Sequence, residues 1–236
     1  MTAPKREHER IVQRWREQLA KIERELFRGF LHQAVWTELR DEIQRRHPDA
    51  DATFLVSYSS GYVAGQMLLV RRLVDGDRKS DSLASLIQRI QGNANVVTRT
   101  CYVEQWVAKS KDQRHLAELA WDRAFADPQD PERLNPALLQ WDLDRLASEL
   151  EHIVTWATKT IAHLDPRQPE RVPKYHEVRE ALEVLADVTG RYQSLLNQSV
   201  TAEWTPAIQG DWYAPFRPSL FPLPPDVYWP HPGGYT

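Results

Sequence analysis

Residues 135–164 read NPALLQWDLDRLASELEHIVTWATKTIAHL. Leu139, Leu143, Leu146, Leu150, Ile153, Ala157, Ile161 and Leu164 recur at steps of three or four, which lines one side of an α-helix with apolar groups. Asn135 offers a side chain that caps free amides, and Pro136 has the fixed φ and missing N–H that suit a first helical turn. The spacing predicts one long helix from Pro136 to about Leu164. A helix of that length with a single apolar stripe has to lie against others of its kind, and the rest of the chain supplies them.

Upstream, Ile11, Trp15, Leu19, Ile22 and Leu26 form a stripe over about Glu7 to Arg28, which Gly29 is expected to end. A second helix is expected from about Phe30 to Arg46, with Val35, Trp36, Leu39 and Ile43 inward and His47-Pro48 as its stop. A third covers about Ala52 to Asp75 and is rich in small residues, with Gly76 just past its end. Asp81 or Ser82 caps a fourth, carried by Leu83, Leu86, Ile87 and Ile90. Two shorter helices are expected over about Val96–Val107 and Asp112–Phe125. A last one follows over about Tyr175–Asn197, with Val178, Leu182, Leu185, Val188, Tyr192, Leu195 and Leu196 inward. No segment alternates with period two between turn residues, so no sheet is predicted. The fold class is all-α, an up-and-down helical bundle.

The chain has 236 residues, 42% of them hydrophobic and 27% charged, which is a globular balance. A net charge of −3 leaves no overall nucleic-acid footprint, so any such contact rests on a local patch. Cys101 is the single cysteine, which fits a reducing compartment. The charged N-terminus does not read as a signal peptide, and no apolar run approaches a membrane span. A cytoplasmic location is expected, with no membrane contact. Composition changes after Ser199: residues 199–236 hold eight of the sixteen prolines and a dense set of aromatics from Trp204 to Tyr235. Residues 1–198 are therefore read as a helical domain. Residues 199–236 are read as an extended arm whose rings pack on the helical body or on a second subunit.

Chemistry concentrates near the end of the long helix. His152, Trp156, Lys159 and His163 fall at i, i+4, i+7 and i+11 and share a face. Two imidazoles, an indole and an ammonium on one face suit phosphate and a stacked base. Arg72 and Asp75, three apart, are expected to pair at a helix end. Asp142, Asp144 and Glu149 read as a solvated flank. The histidines and lone cysteine show no metal-ligand spacing, and no cofactor motif occurs. Arg171 and His176 have an Arg-x4-His spacing. About one such pair is expected by chance in a chain with this many arginines and histidines, and Pro173 interrupts it.

The blocks Arg72-Leu73-Val74-Asp75, Ser82-Leu83-Ala84-Ser85-Leu86-Ile87 and Lys159-Thr160-Ile161-Ala162-His163-Leu164-Asp165, in this order, resemble the abortive-infection AbiU-like branch of the HEPN superfamily. The resemblance covers roughly Leu31 to Gln198. It implies a bundle of four to six helices, often dimeric, in which a histidine and an arginine four to six residues apart cut RNA without metal. The histidine handles the proton of the attacking 2′-hydroxyl, and the arginine stabilises the charged phosphorane. On this chain the histidine is His163. The arginine positions hold Trp156, Ala157 and Thr158, so Lys159 or Arg72 would have to supply the charge. Three readings follow. One is a catalytically impaired HEPN module binding RNA or a partner protein in phage defence, the second a metal-independent endoribonuclease using His163, and the third an interaction protein dimerising through its C-terminal arm.

Overall fold

The computed structural model describes residues 3–46, 53–162 and 171–206. Helix α1 spans Ala3–Arg46, α2 Thr53–Leu73, α3 Leu83–Gln91, α4 Arg99–Lys109, α5 Arg114–Ala124, α6 Pro136–Trp156 and α7 Tyr175–Asn197. A π turn, Ala157–Ala162, continues α6. Among the described residues the only extended pairing is two isolated bridges, Thr98 with Arg133 and Ala126 with Leu134. The chain is all-α, and none of its described helices is long and apolar enough to cross a membrane.

Four helices run alternately up and down. Glu25 meets Arg72 and Trp36 meets Tyr62, so α1 and α2 are antiparallel. Asp142 meets Arg191 and His152 approaches Glu177, so α6 and α7 are antiparallel too. Arg16 donates to the Leu196 carbonyl at 2.8 Å while Trp36 stacks on Tyr175, which closes the ring between α1 and α7. The core between them is built from the apolar stripes, with Leu19, Ile22, Leu26, Met67, Leu150, Ile153, Leu182 and Leu185 all essentially sealed from water. Below the end of α2, α3 takes its place. The Ser82 hydroxyl accepts the Ser85 N–H, as a cap should, and buried Gln18 of α1 donates to the Ser82 carbonyl at 2.9 Å. The α4–α5 hairpin closes the lower end, where the Tyr102, Trp121 and Phe125 rings pack at tilts of 48° to 60°.

Three expectations are corrected. Gly29 does not break a helix: α1 is continuous for 44 residues. Glycine makes room there: a Cβ would stand 2.6 Å from Leu69 Cδ2 and push that side chain aside, and Gln66 Nε2 donates to the Gly29 carbonyl at 2.8 Å. The missing side chain lets α2 press on α1, and the packing outweighs the weak helix propensity, a cost of about 1 kcal/mol. Asp142 is not on a solvated flank but fully buried. Its carboxylate accepts from the Arg191 guanidinium and, at 3.0 Å, from the Tyr192 hydroxyl. Arg191 and Arg145 also lie over the Trp141 ring, 5.0 and 5.4 Å from its centre. Burial pushes the Asp142 carboxyl above its ordinary value, although Arg191 and Tyr192 pull the other way. Finally, Arg72 does not pair with Asp75. Its partner is Glu25 of α1, and Asp75 accepts the Asp77 N–H at 3.0 Å in the loop that follows.

Candidate functional site

At the upper end of the bundle, the first turn of α7 gathers the groups that can do chemistry. Pro173 keeps residues 171–174 out of the helix, so Lys174 becomes its cap residue. Glu177, three residues on, turns back and accepts the Lys174 N–H at 2.6 Å. The same carboxylate pairs with the Arg171 guanidinium. From α6, His152 Nε2 comes within 3.7 Å of Glu177, outside hydrogen-bond distance. Burial, and then the nearby Arg171 charge, hold the His152 imidazole below its ordinary value, so it is uncharged at neutral pH. A carboxylate thus has a guanidinium and an imidazole beside it at a helix start.

An aromatic stack adjoins this cluster. The Trp36 ring lies 4.7 Å from Tyr62 at an interplanar angle of 6°, and 4.9 Å from Tyr175 at 21°. The indole N–H donates to Ser59 Oγ at 3.2 Å, which fixes the ring. The Arg40 guanidinium sits 4.6 Å from the Trp36 ring centre. Trp36 is only 6% exposed, whereas Tyr175 is 49% exposed, so the stack ends in an open ring. Burial and the neighbouring Tyr58 push the Tyr62 hydroxyl up to about 12, so it stays protonated in the physiological range. Tyr175 and Glu177 are two residues apart in the first turn of α7, so the stack and the charged cluster lie at the same end of the bundle but on different sides of that helix.

The residues singled out from the sequence are distributed unevenly around it. His152 is in the cluster. Trp156, one turn further along α6, is half-buried and packs against the core. Lys159 is half-buried within the π turn. The wider turn of a π-helix rotates less per residue than an α-helix, so the face shared by His152 and Trp156 is displaced beyond Ala157. Arg72 is engaged with Glu25, and it is its neighbour Arg71 that reaches the π turn, with Nε donating to Thr158 Oγ1 at 3.0 Å. His163 and the arm beyond residue 206 lie outside the described residues. Among the described residues no group of three or more potential metal ligands occurs.

Sequence reasoning missed Trp36, Arg40, Tyr62 and Tyr175 as a unit, because they come from three different helices. It set Arg171 aside through its spacing to His176, whereas the structure ties Arg171 to Glu177. The signal that could have found it was local: a proline, then a cap position, then a glutamate three residues later.

Comparison with family models, with curated proteins and with solved structures finds no match.

Proposed function

We propose that this chain is a HEPN-type, AbiU-like helical module that binds RNA in phage defence and is impaired in catalysis. The observation that supports it is the half-open Tyr175 ring, backed by Trp36 and Tyr62 at the same helix start that carries Arg171 and Lys174. A ring held by two others behind it is a rigid platform. An unpaired base stacks on it at little entropic cost, and stacking of this kind is worth about 1–3 kcal/mol per base. Arg171 and Lys174 then lie where the flanking phosphates pass, and guanidinium grips phosphate oxygens in two-pronged fashion. Single-stranded RNA suits such a surface, because its bases are free to leave the stack.

The impairment follows from what replaces the arginine. Positions 156–158 carry Trp156, Ala157 and Thr158, and Ala157 is buried. Loss of one charge stabiliser removes about 2.7–4 kcal/mol from a transition state, a hundredfold to a thousandfold in rate.

Fluorescence anisotropy with a labelled single-stranded oligoribonucleotide tests the reading. Binding that weakens with salt is expected. Tyr175→Ala and Arg171→Ala should each lose roughly tenfold in affinity, the equivalent of about 1.4 kcal/mol. Undiminished binding by both variants, or none by the native chain, overturns it. A second reading, a metal-independent endoribonuclease, is favoured by one arrangement: the His152 imidazole stands 3.7 Å from Glu177, which also holds Arg171, so a proton acceptor and a phosphate-binding cation share one place. RNA cleavage that disappears in His152→Ala would establish that reading in place of the first, and cleavage that disappears in His163→Ala would assign the chemistry to His163, as the sequence resemblance implies.

A further inference from the structure

The end of α7 turns the chain back over the bundle. Gln198 takes the left-handed conformation, φ 48° and ψ 42°, and reverses the backbone there. Val200 then passes Gly190, whose missing side chain leaves 3.6 Å to Val200 Cγ1 from where a Cβ would be. Gln193 clasps Thr201 from both sides: its Oε1 accepts the Thr201 N–H at 2.9 Å and its Nε2 donates to Thr201 Oγ1 at 2.8 Å. Trp204 reaches α1 and stacks near Phe30, with ring centres 6.3 Å apart and planes 23° apart. Seven residues after the helix, at Trp204, the chain is therefore seated in the seam between α1 and α7.

Beside Trp204 lies a groove of about 580 Å³ along α1, floored by Ala20, Phe27 and Leu31 and edged by Arg24, Arg28 and Glu23, whose carboxylate accepts from Gln193. Phe27 leaves 45% of its surface in water there, on a helix whose other large apolar groups face inward. The chain continues past Pro206 for thirty residues, and its next cluster is Asp211-Trp212-Tyr213-Ala214-Pro215-Phe216. Six residues from Pro206 to Trp212 can span up to roughly 20 Å. The groove from Arg24 to Leu31 is only about 10 Å long at 1.5 Å per residue. The segment brings rings for Phe27 and Leu31, and Asp211 brings a negative charge towards Arg24, since Arg28 is already paired with Glu25.

We propose that residues 211–216 occupy this groove of their own chain, so that α1 carries a built-in docking site for the start of the aromatic arm. The occupant is a proline-containing aromatic segment with one acid, and the site is an apolar floor with Arg24 at its edge. Ring burial against Phe27 supplies the attraction, and Trp204 supplies the direction of approach. This inference is independent of whether the upper end binds RNA.

Photo-cross-linking on the full chain tests it. Phe27→p-benzoylphenylalanine, and separately Leu31→p-benzoylphenylalanine, are irradiated in an equal mixture of light and heavy-isotope protein. Cross-linked peptides are then identified by mass spectrometry. Phe27 is already half-exposed, so the first variant should melt at the native temperature. The expected result is a cross-link from position 27 or 31 to residues 211–216 within one isotope species, lost in the added Trp212→Ala, Phe216→Ala background. Cross-links in mixed-isotope pairs would mean that the arm reaches a second copy and would overturn the proposal. So would cross-links confined to residues 217–236, or none to residues 207–236 at all.

Discussion

The seam between α6 and α7 carries two clusters in which an acid meets an arginine, and they differ in almost every physical respect. The lower one, Asp142 with Arg191 and Tyr192, is sealed: the carboxylate is fully buried and both its oxygens are used. The upper one, Glu177 with Arg171 near His152, lies at the mouth of the bundle, with the Arg171 side chain 61% exposed and the His152 side chain 43%. A buried pair locks the register of two helices, because losing either partner strands a charge in a dry place. At the upper cluster Glu177 is 13% exposed but its two neighbours open to water, which screens the attraction and leaves Arg171 and His152 facing solvent. The same residue types on the same two helices are thus divided between holding the fold and facing outward.

Removing the lower acid should give the largest effect. Asp142→Ala leaves the Arg191 guanidinium and the Tyr192 hydroxyl without their partner, and it should cost about 3 kcal/mol. In a chain of this size that is a fall of roughly 6–12 °C in melting temperature, read by calorimetry. The pH dependence sharpens the point. The Asp142 carboxyl is raised in the folded state, so the native chain binds more protons than the unfolded one. Its contribution is complete below the ordinary carboxylate value of about 3.9 and is lost as pH rises through the raised one. Asp142→Asn should lack that slope in melting curves taken upward from about pH 4.

A gentler change at the same place, Tyr192→Phe, deletes one hydrogen bond to the buried carboxylate and should cost about 1 kcal/mol in a denaturant titration. At the upper cluster, Glu177→Ala removes a helix-start contact and should cost roughly 0.5–1 kcal/mol by the same measurement. An effect as large as that of Asp142→Ala would erase the contrast between the two clusters. Smallest of all, Arg171→Ala should leave the melting temperature unchanged and raise the His152 value, since one of the two causes holding it down is gone. Histidine ring resonances followed by NMR across pH 5–8 would read that shift. The sign has a further consequence. A depressed imidazole makes the folded chain lose stability as pH falls below the ordinary histidine value of about 6.5 towards the lower folded one.

The sequence revealed those parts of the fold that depend on near neighbours. Asn135-Pro136 and Ser82 mark helix starts through groups two or three residues away, and the structure has both starts where they were read. Gly29 was misread for the converse reason: its meaning resides in Leu69 and Gln66, on another helix. Asp142 sits on its own helix among residues that suggest solvent, and its burial depends on Arg191 and Tyr192, 49 and 50 residues later. The site follows the same rule. His152 and Trp156 share a face by spacing alone, but the Trp36, Tyr62 and Tyr175 stack exists only once three helices have met. The end of the long helix was drawn too simply, since no residue pattern announces a π turn at Ala157–Ala162.

The unbroken course of α1 has a mechanical consequence. Arg16, which grips the Leu196 carbonyl below, and Trp36, which anchors the rings above, ride on one rod with about 30 Å between them at 1.5 Å per residue. The two ends are held at constant phase as well as constant separation. One extra residue inserted near Gly29 would swing everything above it by roughly 100° about the axis. Trp36 would then point away from Tyr62 while the lower half kept its seat.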